Sequence, residues 1–145
     1  MLFNEKLLGC YWSLALGDAL GKPVEFDSID SIREKYGKNG IQVPEDGSYW
    51  TDDTEMTLAI TNALLRLGNA ETIVELNDDL LGCTFAEEFI LWLKSPGHAP
   101  GHTTTTSVRF LKQNGAVKWQ QAGKNNSKGC GTVMRAALLG VWFAK

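Results

Sequence analysis

The sequence predicts a helical fold, in which short helices are joined by polar loops. Apolar residues recur at three- and four-residue spacing in several segments, most regularly between Met56 and Leu67. Such spacing is typical of the buried face of an amphipathic helix. Capping residues and Gly or Pro separate these segments, as expected at helix ends. The chain has 145 residues, a common domain size, so we expect a single domain over residues 1–145.

The first third of the sequence predicts one long helix and a turn-rich stretch. Helical spacing favours a helix from about Asn4 to Leu20. Pro23 ends it, because a residue that precedes proline disfavours helical geometry. A weak helical pattern follows over Ile29–Tyr36, and Ile41–Val43 is interpreted as a short extended segment.

The central third contains the clearest helix. Its apolar stripe runs from Met56 to Leu67, and the side-chain oxygens of Thr51–Thr54 can cap its start. We expect a further helix over Glu71–Leu81. Another is predicted to begin at Thr84, because Thr84-Phe85-Ala86-Glu87 has the form of a capping box.

The last third predicts a loop up to Thr105, a helix near Thr106–Lys112, a polar linker over Gln120–Gly131 and a final helix from Thr132. Ala136–Ala144 is almost wholly apolar, which is typical of a helix buried inside a larger body. We therefore expect the chain to stop within a core, and its apolar end to favour self-association.

Composition excludes several classes of protein. Fourteen Lys and Arg against seventeen Asp and Glu give a net charge of −3, which argues against nucleic-acid binding. No apolar run approaches the length of roughly 18 residues that would indicate a membrane span. Three cysteines without a CxxC pair favour a reducing, cytoplasmic setting over a disulfide framework.

The strongest chemical motif is Thr51-Asp52-Asp53-Thr54-Glu55 at the start of the central helix. Two carboxylates and a hydroxyl form a cluster of hard oxygens that suits a divalent cation such as Mg²⁺. The alternative is a helix cap, in which the acids only complement the helix dipole. Both interpretations remain open on the residues alone.

A second motif is Gly17-Asp18-Ala19-Leu20-Gly21-Lys22-Pro23-Val24-Glu25. Glycines cost stability in a helix unless something approaches the backbone closely. Glu25 follows the break, where its carboxylate can turn towards a neighbouring site. The alternative is a helix-packing contact and a solvated Glu25, and the residues alone favour that alternative.

Two glycine-containing loops complete the set. Gly129-Cys130-Gly131-Thr132 precedes a predicted helix and offers free amides to a phosphate, although it lacks the strand and third glycine of a dinucleotide fingerprint. Cys130 is either a low-pKa thiol at a helix start or a plain buried cysteine. The Pro96–Thr105 loop holds a ligand through amides and hydroxyls, or is an ordinary surface loop; Pro100 and Gly101 exclude a helical zinc pair of its two histidines.

Taken together and in this order, the four segments resemble the ADP-ribosylglycohydrolase family. The matching stretches are Gly17–Glu25, Thr51–Thr54, Gly101–Thr106 and Lys128–Arg135. The resemblance implies an all-α fold, a compact multi-helix bundle, that holds two Mg²⁺ or Mn²⁺ ions. It also implies hydrolysis of the bond that joins ADP-ribose to a protein or a small-molecule acceptor.

The resemblance also assigns roles to individual residues. Thr51, Asp52 and Asp53 would be metal ligands, with Glu25 at the metal site or gating it. Glu25 or Asp53 would assist the attacking water as general base. The substrate-binding residues that it implies are Gly129, Cys130, Gly131 and Thr132 around the diphosphate, and Gly101, His102, Thr103 and Thr104 on the ribose–phosphate side.

The sequence departs from the family pattern in one respect. Members carry a second acidic motif, Asp-x-Asp-Thr or Ser, and no such motif follows Arg135. Asn77-Asp78-Asp79 fits neither its pattern nor its place. We therefore expect the chain to lack a C-terminal part and its metal site to be half built. Three hypotheses remain: a hydrolase, a non-catalytic ADP-ribose-binding module and a purely structural helical domain.

Overall fold

The structure, a computed structural model, describes residues 3–68, 77–94, 100–123, 126, 129 and 131–143. These residues are helical with connecting turns and contain no strand, so the all-α prediction is confirmed. The α-helices are α1 (Phe3–Gly21), α2 (Ile29–Tyr36), α3 (Asp52–Leu67), α4 (Asp78–Trp92), α5 (His102–Asn114) and α6 (Val133–Phe143). None of the described helices is both long and apolar enough to cross a bilayer.

The chain divides into two compact units, Met1–Thr51 and Asp52–Lys145. The first contains α1 and α2, and the second contains α3 to α6. The expectation of a single domain over residues 1–145 stays a prediction.

The first unit follows the predicted order, with one exception. A 3-10 turn, Lys22–Val24, follows α1 at the proline, and Ser28 caps α2 by accepting a hydrogen bond from the Ser31 amide at 3.1 Å. The short extended segment predicted at 41–43 forms no strand. Gln42 instead folds its side chain back onto the Asn39 carbonyl at 2.7 Å, and no described strand is present to pair with this backbone.

The core of the second unit is built on α3, whose predicted apolar stripe is confirmed. Its helix contacts α4 on one side and α6 on another. Met56, Ala63 and Leu64 are at most 1% exposed. Around this stripe lie the apolar residues of the neighbouring helices, namely Phe85, Phe89, Trp92, Val108, Met134, Leu139 and Trp142. The stripe fixes the orientation of α3 and therefore the position of its first turn.

The helix start predicted at Thr84 is wrong. The helix α4 begins at Asp78, where the Asn77 side chain accepts a hydrogen bond from the Leu80 amide at 2.8 Å. It continues through Thr84, whose hydroxyl donates to the Leu80 carbonyl at 2.8 Å. A threonine hydroxyl can cap a helix or bond back to the preceding turn, and here it does the second. Residues 71–76 of the predicted Glu71–Leu81 helix lie outside the described residues.

The helix α5 begins four residues earlier than predicted, at His102, with Gly101 as its N-cap. Thr105 and Thr106 donate their hydroxyls to the carbonyls of Gly101 and His102, at 3.1 and 2.8 Å. The stretch interpreted as a loop up to Thr105 is therefore helical from His102 onward. Part of the predicted polar linker is a 3-10 segment, Ala116–Gln121.

The 3-10 segment packs tightly on α4. The indole of Trp119 lies against Gly82, at a distance that leaves no room for a Cβ atom. Gly82 is itself buried in the middle of α4. Glycine is therefore required here by a close approach.

Candidate functional site

The acidic pair of the Thr51–Glu55 motif lies in the first turn of α3. Asp52 is 8% exposed and Asp53 is half-buried. Asp52 Oδ2 accepts a long hydrogen bond, 3.4 Å, from the amide of Gly101, which lies 49 residues later in the sequence. A carboxylate that only caps a helix has no need of burial, and burial is costly for a charged group. The environment of Asp52 therefore favours a site over a simple cap.

The two glycine-containing segments meet within the second unit. A methyl group placed on Gly131 would lie 3.5 Å from the Thr104 hydroxyl oxygen and 3.5 Å from Arg135 Nη2. Thr104 is in the first turn of α5. Gly101 is the N-cap of that helix, and its amide donates to Asp52. The acidic pair, the start of α5 and the Gly131 turn therefore form one continuous cluster, which we call the acid–glycine cluster (Asp52, Asp53, Gly101, Thr104, Gly131).

Arg135 adds a positive charge to the acid–glycine cluster. Its guanidinium lies 5.4 Å from the centre of the Phe89 ring, a cation–π arrangement. Burial lowers the pKa of Arg135, while the negative charges of Asp52 and Asp53 oppose that shift and raise it. Arg135 lies on α6. The Thr57 hydroxyl of α3 joins the two helices by donating a hydrogen bond to the Met134 carbonyl oxygen of α6 at 3.1 Å.

Arg135 ends the sequence motif Lys128–Arg135, but that motif assigned no role to this residue. A signal was nevertheless present, since Arg135 lies in the first turn of the helix predicted from Thr132, directly after the Gly129–Gly131 turn.

Thr51 belongs to the first unit and is held there by Asp18. Asp18 Oδ2 accepts the Thr51 amide proton at 2.7 Å, and Oδ1 accepts the Thr51 hydroxyl proton at 2.7 Å. Because the hydroxyl donates to Asp18, its oxygen keeps lone pairs that can accept from another donor or bind a cation. Asp18 lies in the sequence motif Gly17–Glu25, but that motif assigned no role to this residue.

Glu25 is an exposed residue of the first unit, immediately after the Lys22–Val24 turn. Its amide donates to the Lys22 carbonyl at 3.4 Å. Asp52 and Asp53 belong to the second unit. The predicted place of Glu25 at the metal site and its role as a base therefore stay predictions.

The other predicted binding residues differ in environment. His102 is exposed at the start of α5, whereas Thr103 and Thr104 are half-buried. Gly129 and Thr132 are exposed, and Cys130 lies outside the described residues. Of these two segments, the structure brings Thr104 and Gly131 together.

The donor set of the acid–glycine cluster fits a hard divalent cation in part. Asp52 and Asp53 supply carboxylate oxygens, which Mg²⁺ and Mn²⁺ prefer. Over the described ranges, however, no three His, Cys, Asp or Glu side chains are grouped closely enough to hold a metal ion. The described residues therefore supply a partial coordination shell.

Comparison with known proteins gives matches over most of the chain. A family profile described as ADP-ribosylglycohydrolase matches residues 2–145. An uncharacterised protein of Archaeoglobus fulgidus is 34% identical over 146 residues, which cover 97% of this chain and 44% of that protein. The ADP-ribosyl-[dinitrogen reductase] glycohydrolase of Rhodospirillum rubrum is 33% identical over 122 residues, or 79% of this chain and 37% of the enzyme.

A more distant relative is the ADP-ribosylarginine hydrolase Tri1 of Serratia proteamaculans, which is 22% identical over 97% of this chain and 37% of its own length. The chain thus spans less than half the length of the curated relatives that it matches. No solved structure matches it with significance. Because the family profile extends over nearly the whole sequence, the chain belongs to the ADP-ribosylglycohydrolase family.

Proposed function

We propose that this chain contributes substrate-binding and cation-binding residues to a hydrolase that releases ADP-ribose from modified proteins or other ADP-ribosylated acceptors. The observation that carries the proposal is the acid–glycine cluster, where the buried Asp52 lies against Gly101, and Thr104 against Gly131. Acidic groups, backbone amides and a hydroxyl from three distant segments meet there. A purely structural helical domain gives no reason for that convergence.

Each part of the cluster suits one part of ADP-ribose. The amides in the first turn of α5 and the turn at Gly131 can donate to diphosphate oxygens, which favour a helix N-terminus. The carboxylates of Asp52 and Asp53 can hold one or two divalent cations, Mg²⁺ or Mn²⁺. A bound cation would orient the ribose hydroxyls and lower the pKa of a water molecule.

Two carboxylates remain candidates for the general base. Asp53 is half-buried in the first turn of α3, and Glu25 belongs to the motif that resembles the family. Either can accept a proton from water as the glycosidic bond breaks. Asp53 then has two roles, as a ligand and as a base, and Glu25 is likewise proposed both at the metal site, or gating it, and as a candidate base.

The names of the relatives support the choice of acceptor for a first test. One relative is named for ADP-ribosyl-dinitrogen reductase and another for ADP-ribosylarginine. We propose a protein ADP-ribosylated on arginine as the first substrate, with a small ADP-ribosylated acceptor as the second.

The test is to join the chain to a C-terminal segment that carries the family's second acidic motif, and to incubate that protein with arginine-ADP-ribosylated protein in Mg²⁺, in Mn²⁺ and in a chelator. Release of ADP-ribose is measured by mass spectrometry. We expect cation-dependent release that is lost in Asp52→Ala/Asp53→Ala and kept in Asp78→Ala/Asp79→Ala, since the second pair is exposed at the start of α4. Equal activity of the two double variants would contradict the proposal.

A non-catalytic ADP-ribose-binding module is the second candidate. It is favoured by the partial coordination shell, because the described residues bring together fewer than three acidic, His or Cys ligands. It predicts binding of ADP-ribose in calorimetry, with and without Mg²⁺, and no turnover. Turnover excludes it, and the absence of heat in both conditions excludes binding altogether.

We also propose self-association through the apolar C-terminal end and a cytoplasmic setting. Within α6, Val133 is 70% exposed while Leu138 is 3% exposed, so part of this helix is exposed to solvent. Sedimentation velocity of the chain tests the first proposal, with a concentration-dependent dimer expected. The three cysteines without a CxxC pair support the second.

A further inference from the structure

Glu55 is the last residue of the Thr51–Glu55 motif and has no role in the proposed function. Its carboxylate oxygen Oε2 accepts a hydrogen bond of 2.7 Å from the indole Nε1 of Trp92, which lies 37 residues later in the sequence. Trp92 is the last residue of α4 and is 8% exposed. This hydrogen bond therefore joins the first turn of α3 to the end of α4.

Trp92 belongs to a buried apolar cluster that is shared by α3, α4 and α5. The other buried members are Met56 and Ala59 of α3 and Val108 of α5. A buried indole N–H needs a hydrogen-bond partner, and the Glu55 carboxylate supplies one. The bond therefore favours one orientation of the indole ring among the three helices.

The first turn of α3 also contacts the start of α5. Asp52, three residues before Glu55, accepts the Gly101 amide proton at 3.4 Å. Residues three apart lie on the same side of a helix. A 3.4 Å bond is weak by itself, whereas the 2.7 Å bond from Trp92 has good length. We therefore expect the Trp92 contact to place α5 where Gly101 can reach Asp52.

We propose that Glu55 is a positioning residue, which acts through Trp92 to hold the start of α5 against the first turn of α3. Its consequence for ADP-ribose binding rests on the proposed function, in which the amides at the start of α5 donate to the diphosphate. The hydrogen bond, rather than the binding of a cation, is then the task of the Glu55 carboxylate.

The alternatives for Glu55 predict different variant behaviour. A positioning residue needs an acceptor oxygen, so Glu55→Gln keeps the effect, while Glu55→Ala and Trp92→Phe lose it. A cation ligand needs the charge, so Glu55→Gln is impaired and Trp92→Phe is not. A merely structural residue changes the free energy of unfolding and leaves the start of α5 in the folded chain unchanged.

The first experiment measures amide hydrogen exchange by NMR in the 145-residue chain. The reporter is the Thr105 amide, which donates to the Gly101 carbonyl at 3.0 Å in the first turn of α5. The reference is the Gly115 amide at the other end of α5, which donates to the Leu111 carbonyl at 2.8 Å. Their ratio separates a change at the start of α5 from a change in global stability.

We expect Glu55→Ala and Trp92→Phe to raise the ratio of the Thr105 rate to the Gly115 rate about tenfold, the scale of one lost hydrogen bond. Glu55→Gln should leave that ratio within about twofold of the parent value, because its amide oxygen can still accept. Glu87→Ala is the matched control. It removes another contact between α3 and α4, the 2.6 Å ion pair of Glu87 with Arg66, and should leave the ratio unchanged.

The second experiment measures ADP-ribose binding to the same chains by calorimetry. If the held arrangement of α5 falls to about a tenth of the population, the dissociation constant rises about tenfold. We expect that rise in Glu55→Ala and in Trp92→Phe, and not in Glu55→Gln or Glu87→Ala. The double variant Glu55→Ala/Trp92→Phe should be no weaker than either single variant, since both remove the same bond.

The two experiments fail in different ways. An unchanged ratio of exchange rates in Glu55→Ala overturns the positioning role, whatever the chain binds. Impairment in Glu55→Gln together with a harmless Trp92→Phe overturns it in favour of a cation ligand. If the parent chain binds no ADP-ribose, the proposed function fails and the exchange rates alone decide the role of Glu55. If either Glu55→Ala or Trp92→Phe does not fold, the other variant gives the same test.

Discussion

Asp52 and Asp53 begin α3, and Asp78 and Asp79 begin α4, so two helices of the second unit start with the same pair of acids. Their surroundings differ. Asp52 is 8% exposed and Asp53 is half-buried, and both act on the charge of Arg135. Asp78 and Asp79 are exposed. The same dipeptide is thus part of a polar cluster in one helix and a solvated helix start in the other.

The residues that precede the two acidic pairs, Thr51 and Asn77, make different hydrogen bonds. Asn77 caps α4 by accepting the Leu80 amide proton. Thr51 instead donates its hydroxyl to Asp18 in the first unit, at 2.7 Å. An acidic pair at a helix start therefore has two explanations in sequence, the cap and the site, and the burial of the acids distinguishes the two pairs here.

The largest expected effect tests that separation directly. Asp52→Asn/Asp53→Asn should weaken Mn²⁺ binding by about 100-fold, the scale on which metal sites respond to a lost ligand or its support. The matched variant Asp78→Asn/Asp79→Asn should change it less than twofold, because exposed acids at that position have no cluster around them. Calorimetry measures both. A similar loss in the two variants would show that the pairs are equivalent.

The second effect concerns the stability of the α4 region. Gly82→Ala should lower the free energy of unfolding by about 3 kcal/mol, since the new Cβ overlaps the Trp119 indole and the packing must shift. Urea unfolding measures it. Mn²⁺ affinity of the folded variant should stay unchanged. Gly123→Ala, where nothing lies within 4 Å of the new Cβ, is the control.

The third effect compares the two residues that precede the acidic pairs. Thr51→Val should destabilise the chain by about 2 kcal/mol, because a hydrogen bond to a charged carboxylate is lost. Asn77→Ala should cost about 1 kcal/mol, the usual value of an N-cap. Thr51→Ser keeps the hydroxyl and should restore most of the stability. A larger loss at Asn77 than at Thr51 in urea unfolding would reverse the contrast.

The smallest expected effect is the pH-dependent stability that an exposed acid, Glu45, contributes. The Tyr36 hydroxyl, which donates to Glu45 Oε1 at 2.7 Å, and then Lys35 hold its pKa below the ordinary value of 4.5. A lowered carboxyl pKa stabilises the folded chain above that ordinary value, and the contribution is lost as pH falls through the folded pKa.

Parallel urea titrations of the parent chain and Glu45→Gln from pH 6 to pH 3 measure this contribution. The small stability difference between them should shrink at the acidic end. A difference that grows towards pH 3 would give the pKa shift of Glu45 the opposite sign.

Several features could be predicted because they depend on neighbouring residues in the chain. The apolar residues of α3 are spaced so that a helix places them all on one side. Met56 and Leu64 are buried as predicted. Two wrongly predicted helix starts involved threonines. Thr84 and Thr106 were interpreted as lying at or near helix starts, but their hydroxyls bond back to carbonyls within α4 and α5. A hydroxyl can do either, so the choice is not encoded in local sequence.

The candidate residues Asp52, Asp53 and Gly131 could be named from sequence, because hard oxygens and open glycine turns are recognisable types. The importance of Arg135 and Asp18 could not, because it depends on what those side chains meet. Asp18 accepts two hydrogen bonds from Thr51, 33 residues away in the chain. Arg135 has two distant partners, Phe89 and the acidic pair.

The sequence by itself determined the helical class, the stripe of α3 and the residue types of the candidate site, since each is a property of residues within one or two turns of each other. Only the tertiary structure decided which acidic pair is buried. Asp52-Asp53 and Asp78-Asp79 have the same local chemistry. Among the described contacts, however, the Gly101 amide donates to Asp52, and Arg135 interacts electrostatically with Asp52 and Asp53. The reason is physical: the packing of α3 against α4 and α6 sets the exposure of a carboxylate, and a dipeptide contains no information about that packing.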